Sequence, residues 1–297
     1  MELWASGFNA WSQLQFDGEL PAEPRDLDVF ACVLKNEHIE ILRTSLSATV
    51  VQTNSGIITA GFPDEFTKLC SKSNGRLFKV ALAGNDKVSE FAAKGVTQYD
   101  SLQDFAAKKK SSFRPLSCIA QIASNQTGFT LLTSNGTVYT WGDGRYEACL
   151  GREVNDERKA SDLCEVDELR DLPDRVVKIS SGGYMTAALT AGNDVYLWGR
   201  QGHPELAEPL MASPTPLDLD GHDCLDVAVG MNHLIVLTTE RRIFVVGSGR
   251  SGQLGLGSAI IELKEWKEVV MPLKKGQHVV SVHAAYKNSF VRVKDGT

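Results

Sequence analysis

The string Gly247-Ser-Gly-Arg-Ser-Gly252 follows the apolar run Ile243-Phe-Val-Val and satisfies Gly-x-Gly-x-x-Gly. Between a strand and a helix, that spacing cradles the pyrophosphate of a dinucleotide. The helix is what this context lacks. Gln253-Leu-Gly-Leu-Gly257 continues with glycines, each weakening a helix interior by about 1 kcal/mol, so no helix N-terminus is offered to a phosphate. Other chemistries fail for similar reasons. The histidines at 38, 203, 222, 233, 278 and 283 share no metal-ligand spacing with cysteine or carboxylate. The chain contains neither a phosphate loop ending in Gly-Lys-Ser/Thr nor a Gly-x-Ser-x-Gly nucleophile elbow. Asp26 with Asp28, and Asp64 with Glu65, are neighbouring carboxylates of the kind surface loops make cheaply, and nothing in the sequence indicates a pKa-shifting pocket. No catalytic, cofactor or metal site is predicted, and the expectation is a protein that is not an enzyme.

Seen from further away, the glycine string belongs to a phrase written several times. Ile243-Phe-Val-Val-Gly247 is matched by Val138-Tyr-Thr-Trp141-Gly142-Asp-Gly144-Arg-Tyr and Val195-Tyr-Leu-Trp198-Gly199. It is matched again by Leu3-Trp4-Ala-Ser-Gly7-Phe-Asn-Ala-Trp-Ser-Gln13-Leu14 and, in eroded form, by Ile57-Ile-Thr-Ala-Gly61. The landmark glycines 7, 61, 142, 199 and 247 stand 54, 81, 57 and 48 residues apart, at or above the roughly 40–50 residues of a four-stranded blade. Within one unit, Val176–Ile179, Met185–Thr190 and Val195–Trp198 are short β-rich runs separated by Gly, Asn and Asp turns, which predicts successive hairpins. The glycines allow close backbone approach, and the preceding aromatics supply apolar surface to wedge between sheets.

The string Ser248-Gly-Arg-Ser-Gly-Gln-Leu-Gly-Leu-Gly257, together with the aromatic-Gly strand ends, resembles the regulator of chromosome condensation (RCC1) repeat family. The match is good at 224–257, fair at 116–151 and 176–202, and loose elsewhere, with 67–115 poorly matched. The histidine that opens a strand in that family survives only as His233, with Gln126 and Met185 at the places matched to it. The resemblance implies an all-β, RCC1-like β-propeller. Six blades are countable, at 39–66, 77–105, 116–151, 176–202, 224–257 and a composite of 279–293 with 1–14, and the degenerate middle leaves room for a seventh. The N-terminal strand is expected to pair with the C-terminal blade, which lacks its own Trp-Gly strand, and so close the fold.

A chain of 297 residues, 42% apolar, can bury a large core, and a propeller would make 1–297 one domain. A net charge of −6 offers no basic field for nucleic acid. The six cysteines, at 32, 70, 118, 149, 164 and 224, form no Cys-x-x-Cys pair and read as reduced. No run approaches a membrane span or a signal-peptide core, so the expected compartment is the nucleus or cytoplasm.

Function is then expected on loops, since packing consumes the blades. Aligning the units places Ser45, Asn125, Tyr184, Asn232 and Tyr286, with Lys287, at one turn of each blade, either as partner contacts or as strand caps. The loop after each landmark glycine carries Trp11, Arg145, Tyr146, Arg200 and Arg250, suited to a carboxylate-rich partner or simply inherited with the repeat. Residues 152–175 form a charge-dense insertion in which Leu163, Val166, Leu169 and Leu172 recur every third position. It reads as a short amphipathic helix, on the blade edge or facing a basic partner, or as a solvated loop. Residues 84–112 have helical character at Val88–Ala93 and Leu102–Lys108, within a decorated, irregular blade. The predicted function is a non-catalytic interaction scaffold or adaptor for a regulatory or chromatin-associated protein. The alternative that the resemblance implies is guanine nucleotide exchange on a small GTPase, with neither direct nucleic-acid nor membrane binding.

Overall fold

A computed structural model describes residues 1–18, 22–71, 79–199 and 212–296. The chain opens with β1 (Glu2–Gly7) and β2 (Leu27–Lys35). A three-stranded meander follows, β3 (Ile39–Thr44), β4 (Ala48–Thr53) and β5 (Gly56–Gly61), then helix α1 (Glu65–Ser71). The next sheet contains β6 (Val80–Leu82), β7 (Val88–Ala92), β8 (Gly95–Tyr99) and β9 (Ser112–Pro115), with α2 (Leu102–Ala106) before its last strand. Two further four-stranded sheets are β10 (Ile119–Ser124), β11 (Gly128–Thr133), β12 (Val138–Gly142) and β13 (Cys164–Glu165), then β14 (Val176–Gly182), β15 (Met185–Thr190), β16 (Val195–Gly199) and β17 (Thr215–Pro216). The last repeat is β18 (Cys224–Val229), β19 (His233–Thr238), β20 (Ile243–Ser248) and β21 (Glu262–Val269). β22 (Gln277–Ala284) and β23 (Asn288–Asp295) then join the start of the chain in the order β2-β1-β23-β22. Every pairing is antiparallel, and β1 runs in unbroken register against β23 from Glu2↔Val293 to Gly7↔Asn288.

Two compact units are present. One is formed mainly by Met1–Lys68 and Leu219–Thr297, the other mainly by Leu69–Gly202 and Glu208–Asp218. In the second unit the aromatics of the repeat act as the sequence predicts. Trp141 is buried against Ala81, Ala83, Phe91 and Val96 of the preceding sheet, stacks on Phe129 at 5.2 Å, and donates from Nε1 to Gln98 Oε1 at 2.9 Å. Trp198 fills the same place one repeat later, against Leu132, Val138, Val176 and Ile179. In the first unit the core joins Ile235, Leu237, Ile243, Val245 and Leu254 to Val282, Val291 and Val293, with Trp4 packed on it.

The landmark glycines sit where β-strands cross over one another's ends. A Cβ on Gly247 (φ +105) would strike the Asn232 carbonyl oxygen, and one on Gly199 (φ +125) would strike that of Tyr184. The same collision with the carbonyl just before the middle strand recurs at Gly7, Gly61 and Gly142. Only glycine permits this approach, which explains its recurrence better than any ligand does.

Three local expectations are corrected. Val88-Ser-Glu-Phe-Ala is strand β7, held by pairing with β6 on one side and β8 on the other despite its helical composition; Leu102–Ala106 is the helix, capped by Ser101 Oγ accepting from the Asp104 amide at 3.0 Å. Residues 163–172 contain no α-helix. Cys164–Glu165 pairs with β12, and Asp167–Leu169 forms a turn of 3-10 helix, whose three-residue repeat the spacing of apolar side chains in fact matches. Finally, β2 completes the composite sheet, and the sequence units, drawn with three strands each, omit most of the fourth strands.

Candidate loop-edge binding site

In each sheet, the turn between the first two strands and the loop after the third strand lie at the same end. A recurring hydrogen bond ties them together. The amide after the landmark glycine donates to the carbonyl preceding the middle strand: Phe8 to Lys287 at 3.0 Å, Phe62 to Ser47 at 2.7 Å, Asp143 to Thr127 at 3.0 Å and Ser248 to Asn232 at 2.8 Å. The structural register therefore makes Ser47, Thr127, Tyr184, Asn232 and Lys287 equivalent. Ser45 and Asn125 lie two residues earlier than the sequence alignment implies, and Tyr286 one.

That offset has chemical consequences. Ser45 Oγ accepts from the amides of Ser47 and Ala48, and the buried Asn125 accepts through Oδ1 from Thr127 and Gly128. Both side chains cap turns. In the second unit, Tyr184 stacks on Tyr146 at 5.5 Å, and Arg145 lies 5.9 Å from the Tyr146 ring while bridging bidentately to Asp143. That pairing holds the Asp143 carboxyl below its ordinary range. Trp11, exposed, meets Phe62 edge-on at 6.3 Å in the first unit. Arg200 lies outside the described residues.

In the first unit the loops bring four of the sequence candidates together. Asn232, Arg250, Tyr286 and Lys287 line a depression of about 220 Å³, with Ser248 and Gln253 beneath them. Tyr286 is 40% exposed, Arg250 is exposed, and Lys287 reaches over the Phe8 ring at 5.6 Å. None of the lining residues is acidic. The floor is fixed from below. The Ser289 hydroxyl donates to the Gln253 carbonyl at 2.7 Å, so the imidazole of His233, 3.0 Å from Ser289 Oγ, must donate to that hydroxyl oxygen from Nε2. Burial lowers the His233 pKa to about 4, so the ring is neutral; its Nδ1 packs on Gly230 without a partner. The family histidine is thus a strut under the cleft. Opposite the landmark glycines, its structural equivalents are Ala48, Gly128, Met185 and Asn288; Gln126 is displaced by two residues.

Sequence reasoning missed Arg152. It is buried, and its guanidinium donates to the carbonyls of Glu153, Arg158, Lys159 and Asp162 at 3.0–3.3 Å, wrapping the charged insertion around one cation. Arg158 pairs with Asp167, and Arg170 pairs with Glu165 and Asp167. Within the insertion these pairs engage Glu165 and Asp167. Its signal was an arginine directly after the landmark loop at the head of a turn-rich, acidic stretch.

Among the described residues no cluster of histidine, cysteine and carboxylate is arranged to hold a metal, and no helix is long and apolar enough to cross a membrane.

No family model matches the chain. Curated relatives do. It is 34% identical over 129 residues to the regulator of chromosome condensation of Drosophila melanogaster, covering 42% of this chain and 23% of the relative. It is 34% identical over 155 residues to the mouse protein of that name, covering 50% and 35%. The matches thus span about a quarter to a third of those relatives. In fold, the chain superposes along its whole length on 92% of Prp20p of Saccharomyces cerevisiae, with a TM-score of 0.71 at 13% identity; that structure was described with its binding to Gsp1p and histones. Repeat phrases, six-sheet topology and whole-length superposition converge: the fold is an all-β, RCC1-like β-propeller of six sheets, in a chain similar to the regulator of chromosome condensation.

Proposed function

We propose that the chain is a non-catalytic scaffold that binds a protein partner through the loop edge of its sheets. The observation that carries this reading is the cleft itself, where two turns and one long loop deliver Asn232, Arg250, Tyr286 and Lys287 to one exposed place. Tyrosine and arginine are the residue types that dominate interface energetics, and neither is needed here for packing. Elsewhere, Ser45 and Asn125 cap turns and Tyr146 stacks on Tyr184. Relatives named for chromosome condensation, and a fold neighbour described with a small GTPase-type partner and histones, support a regulatory or chromatin-associated partner in the nucleus or cytoplasm. The net charge of −6 favours protein over nucleic acid as that partner.

Quantitative affinity capture, comparing the parent chain with Tyr286→Ala/Lys287→Ala, tests the reading. A defined partner should be lost from the double variant at unchanged folding, and identical partner sets would end it. Nucleotide exchange is the competing activity. Release of labelled nucleotide from a panel of small GTPases, accelerated at substoichiometric chain, would replace the scaffold by an exchange factor.

A further inference from the structure

One feature of the cleft points to the chemistry of its occupant. Gln253 is 3% exposed, and its Oε1 accepts from the Ser251 amide at 2.9 Å, which fixes the orientation of the side chain. Its amide nitrogen has no hydrogen-bond acceptor among the described residues, although the equivalent atom of Gln13 has two. The atom is not sealed from solvent, so it is free to donate to a group seated above it. Gln253 lines the cleft. Above it stand Arg250 and Lys287, neither ion-paired among the described residues, with the Asn232 amide and the Tyr286 hydroxyl alongside.

We infer that the cleft seats a carboxylate of an acidic peptide segment in the partner; this rests on the scaffold reading above. Gln253 Nε2 donates to the carboxylate from the floor, and Arg250 and Lys287 neutralise it from the mouth. The arrangement suits one negative charge. Its floor is neutral amide and hydroxyl, so a phosphate dianion would be desolvated there without a buried cation to compensate. Arginine at the exposed lip can reach a carboxylate with two parallel donors. Charge complementarity also explains why eight lining residues include two cations and no acid in a chain that is acidic overall.

The test uses the full chain and three fluorescent hexapeptides: hexaglutamate, hexaglutamine and a phosphoserine-containing glutamine peptide. Anisotropy should show hexaglutamate binding at low salt, weakening as salt rises, and at least tenfold weaker binding of hexaglutamine. Arg250→Glu, at an exposed position, should reduce hexaglutamate binding at least tenfold with an unchanged melting temperature. Gln253→Glu keeps the acceptor for Ser251 and replaces the floor donor by a charge, and should abolish binding. Hexaglutamate binding that is absent, or indifferent to Arg250→Glu, overturns the inference. Tighter binding of the phosphoserine peptide overturns the carboxylate in favour of phosphate. If hexaglutamate fails while Tyr286→Ala/Lys287→Ala still loses a captured partner, the carboxylate is refuted and the scaffold stands.

Discussion

The first unit carries the same loop twice, once after β1 and once after β20. Ser12 and Gly252 both adopt a left-handed backbone, and their amides donate three residues back, to Asn9 and Gly249. Trp11 and Ser251 both donate to the Oε1 of the following glutamine, Gln13 or Gln253, and Leu14 and Leu254 are both buried beneath. The frame is shared, but the outcome is opposite. Gln13 Nε2 donates to the carbonyls of Phe8 at 2.7 Å and Leu46 at 3.1 Å, stitching its loop to the neighbouring turn under Trp11 and Phe62. Gln253 makes no such stitch, and Ser251 stands where the first copy has Trp11, while Phe8, at the place of Phe62, lies under Lys287. One copy seals and the other opens. The backbone phrase therefore encodes the loop's path, while the side chains at the places of Trp11 and Ser251 decide whether it can hold a ligand.

The largest expected difference between the copies is energetic. Gln13→Ala removes three hydrogen bonds, at a cost of about 2–3 kcal/mol, although the Phe8 carbonyl keeps the Asn288 amide as a donor. Gln253→Ala removes one, at about 1–2 kcal/mol, because the backbone carbonyl that Ser289 uses survives. Urea denaturation of both variants measures the gap, and equal losses would mean that the copies are equally sealed.

Protonation separates them next. The residue opposite the landmark glycine is His233 in the open copy and Asn288 in the sealed one. With a folded pKa of about 4 against 6.5 for the unfolded chain, His233 binds its proton more weakly in the folded state. Its neutral form supports folding fully above pH 6.5, and stability falls as pH drops from 6.5 towards 4. The loss approaches about 3 kcal/mol once both states are protonated. His233→Asn, which copies the sealed repeat, should flatten the stability profile in that window. A profile as steep as the parent's would assign the acid sensitivity elsewhere.

Ser251→Trp should close the open copy by giving it the residue of the sealed one. Hexaglutamate affinity should fall about tenfold, roughly 1.4 kcal/mol, with little change in melting temperature. Retained affinity would show that the cleft does not depend on the small residue.

Much of this frame was legible in the residues. The aromatic-glycine phrases located the third strand of five sheets, because glycine at a backbone crossing and an aromatic against the preceding sheet leave a strong chemical trace. The pairing of β1 with β23 followed from a missing phrase at one end and an extra one at the other. Fourth strands such as Thr215–Pro216 left no trace, since two-residue pairings need little from sequence. The candidate site was half legible. Arg250, Tyr286, Lys287 and Asn232 could be named, but Ser45 and Asn125 were misregistered: turns differing by one or two residues keep the same hydrogen bonds, and only the backbone shows which carbonyl is crossed. Gln253 was visible only as part of a family phrase. Its unpartnered amide is a property of the neighbouring turn, and no spacing rule reaches it.

The smallest difference tests whether the frame itself is shared. Ser12 holds φ +54 where the other copy has Gly252 at φ +81. A side chain in this conformation is strained by about 1 kcal/mol, and glycine would relieve it at some cost in unfolded-chain entropy. Ser12 is buried, but its hydroxyl caps nothing that the turn requires, since the amide of Gln15 is held by the Ser12 carbonyl. Ser12→Gly should therefore stabilise the chain by about 0.5 kcal/mol, and Gly252→Ser should destabilise it by a larger amount, because a Cβ there would meet the Leu27 carbonyl. Thermal unfolding of the pair reads both signs. If Gly252→Ser were tolerated as well as Ser12 is, the second loop would have to relax away from β2, and the equivalence of the two copies would be one of sequence alone.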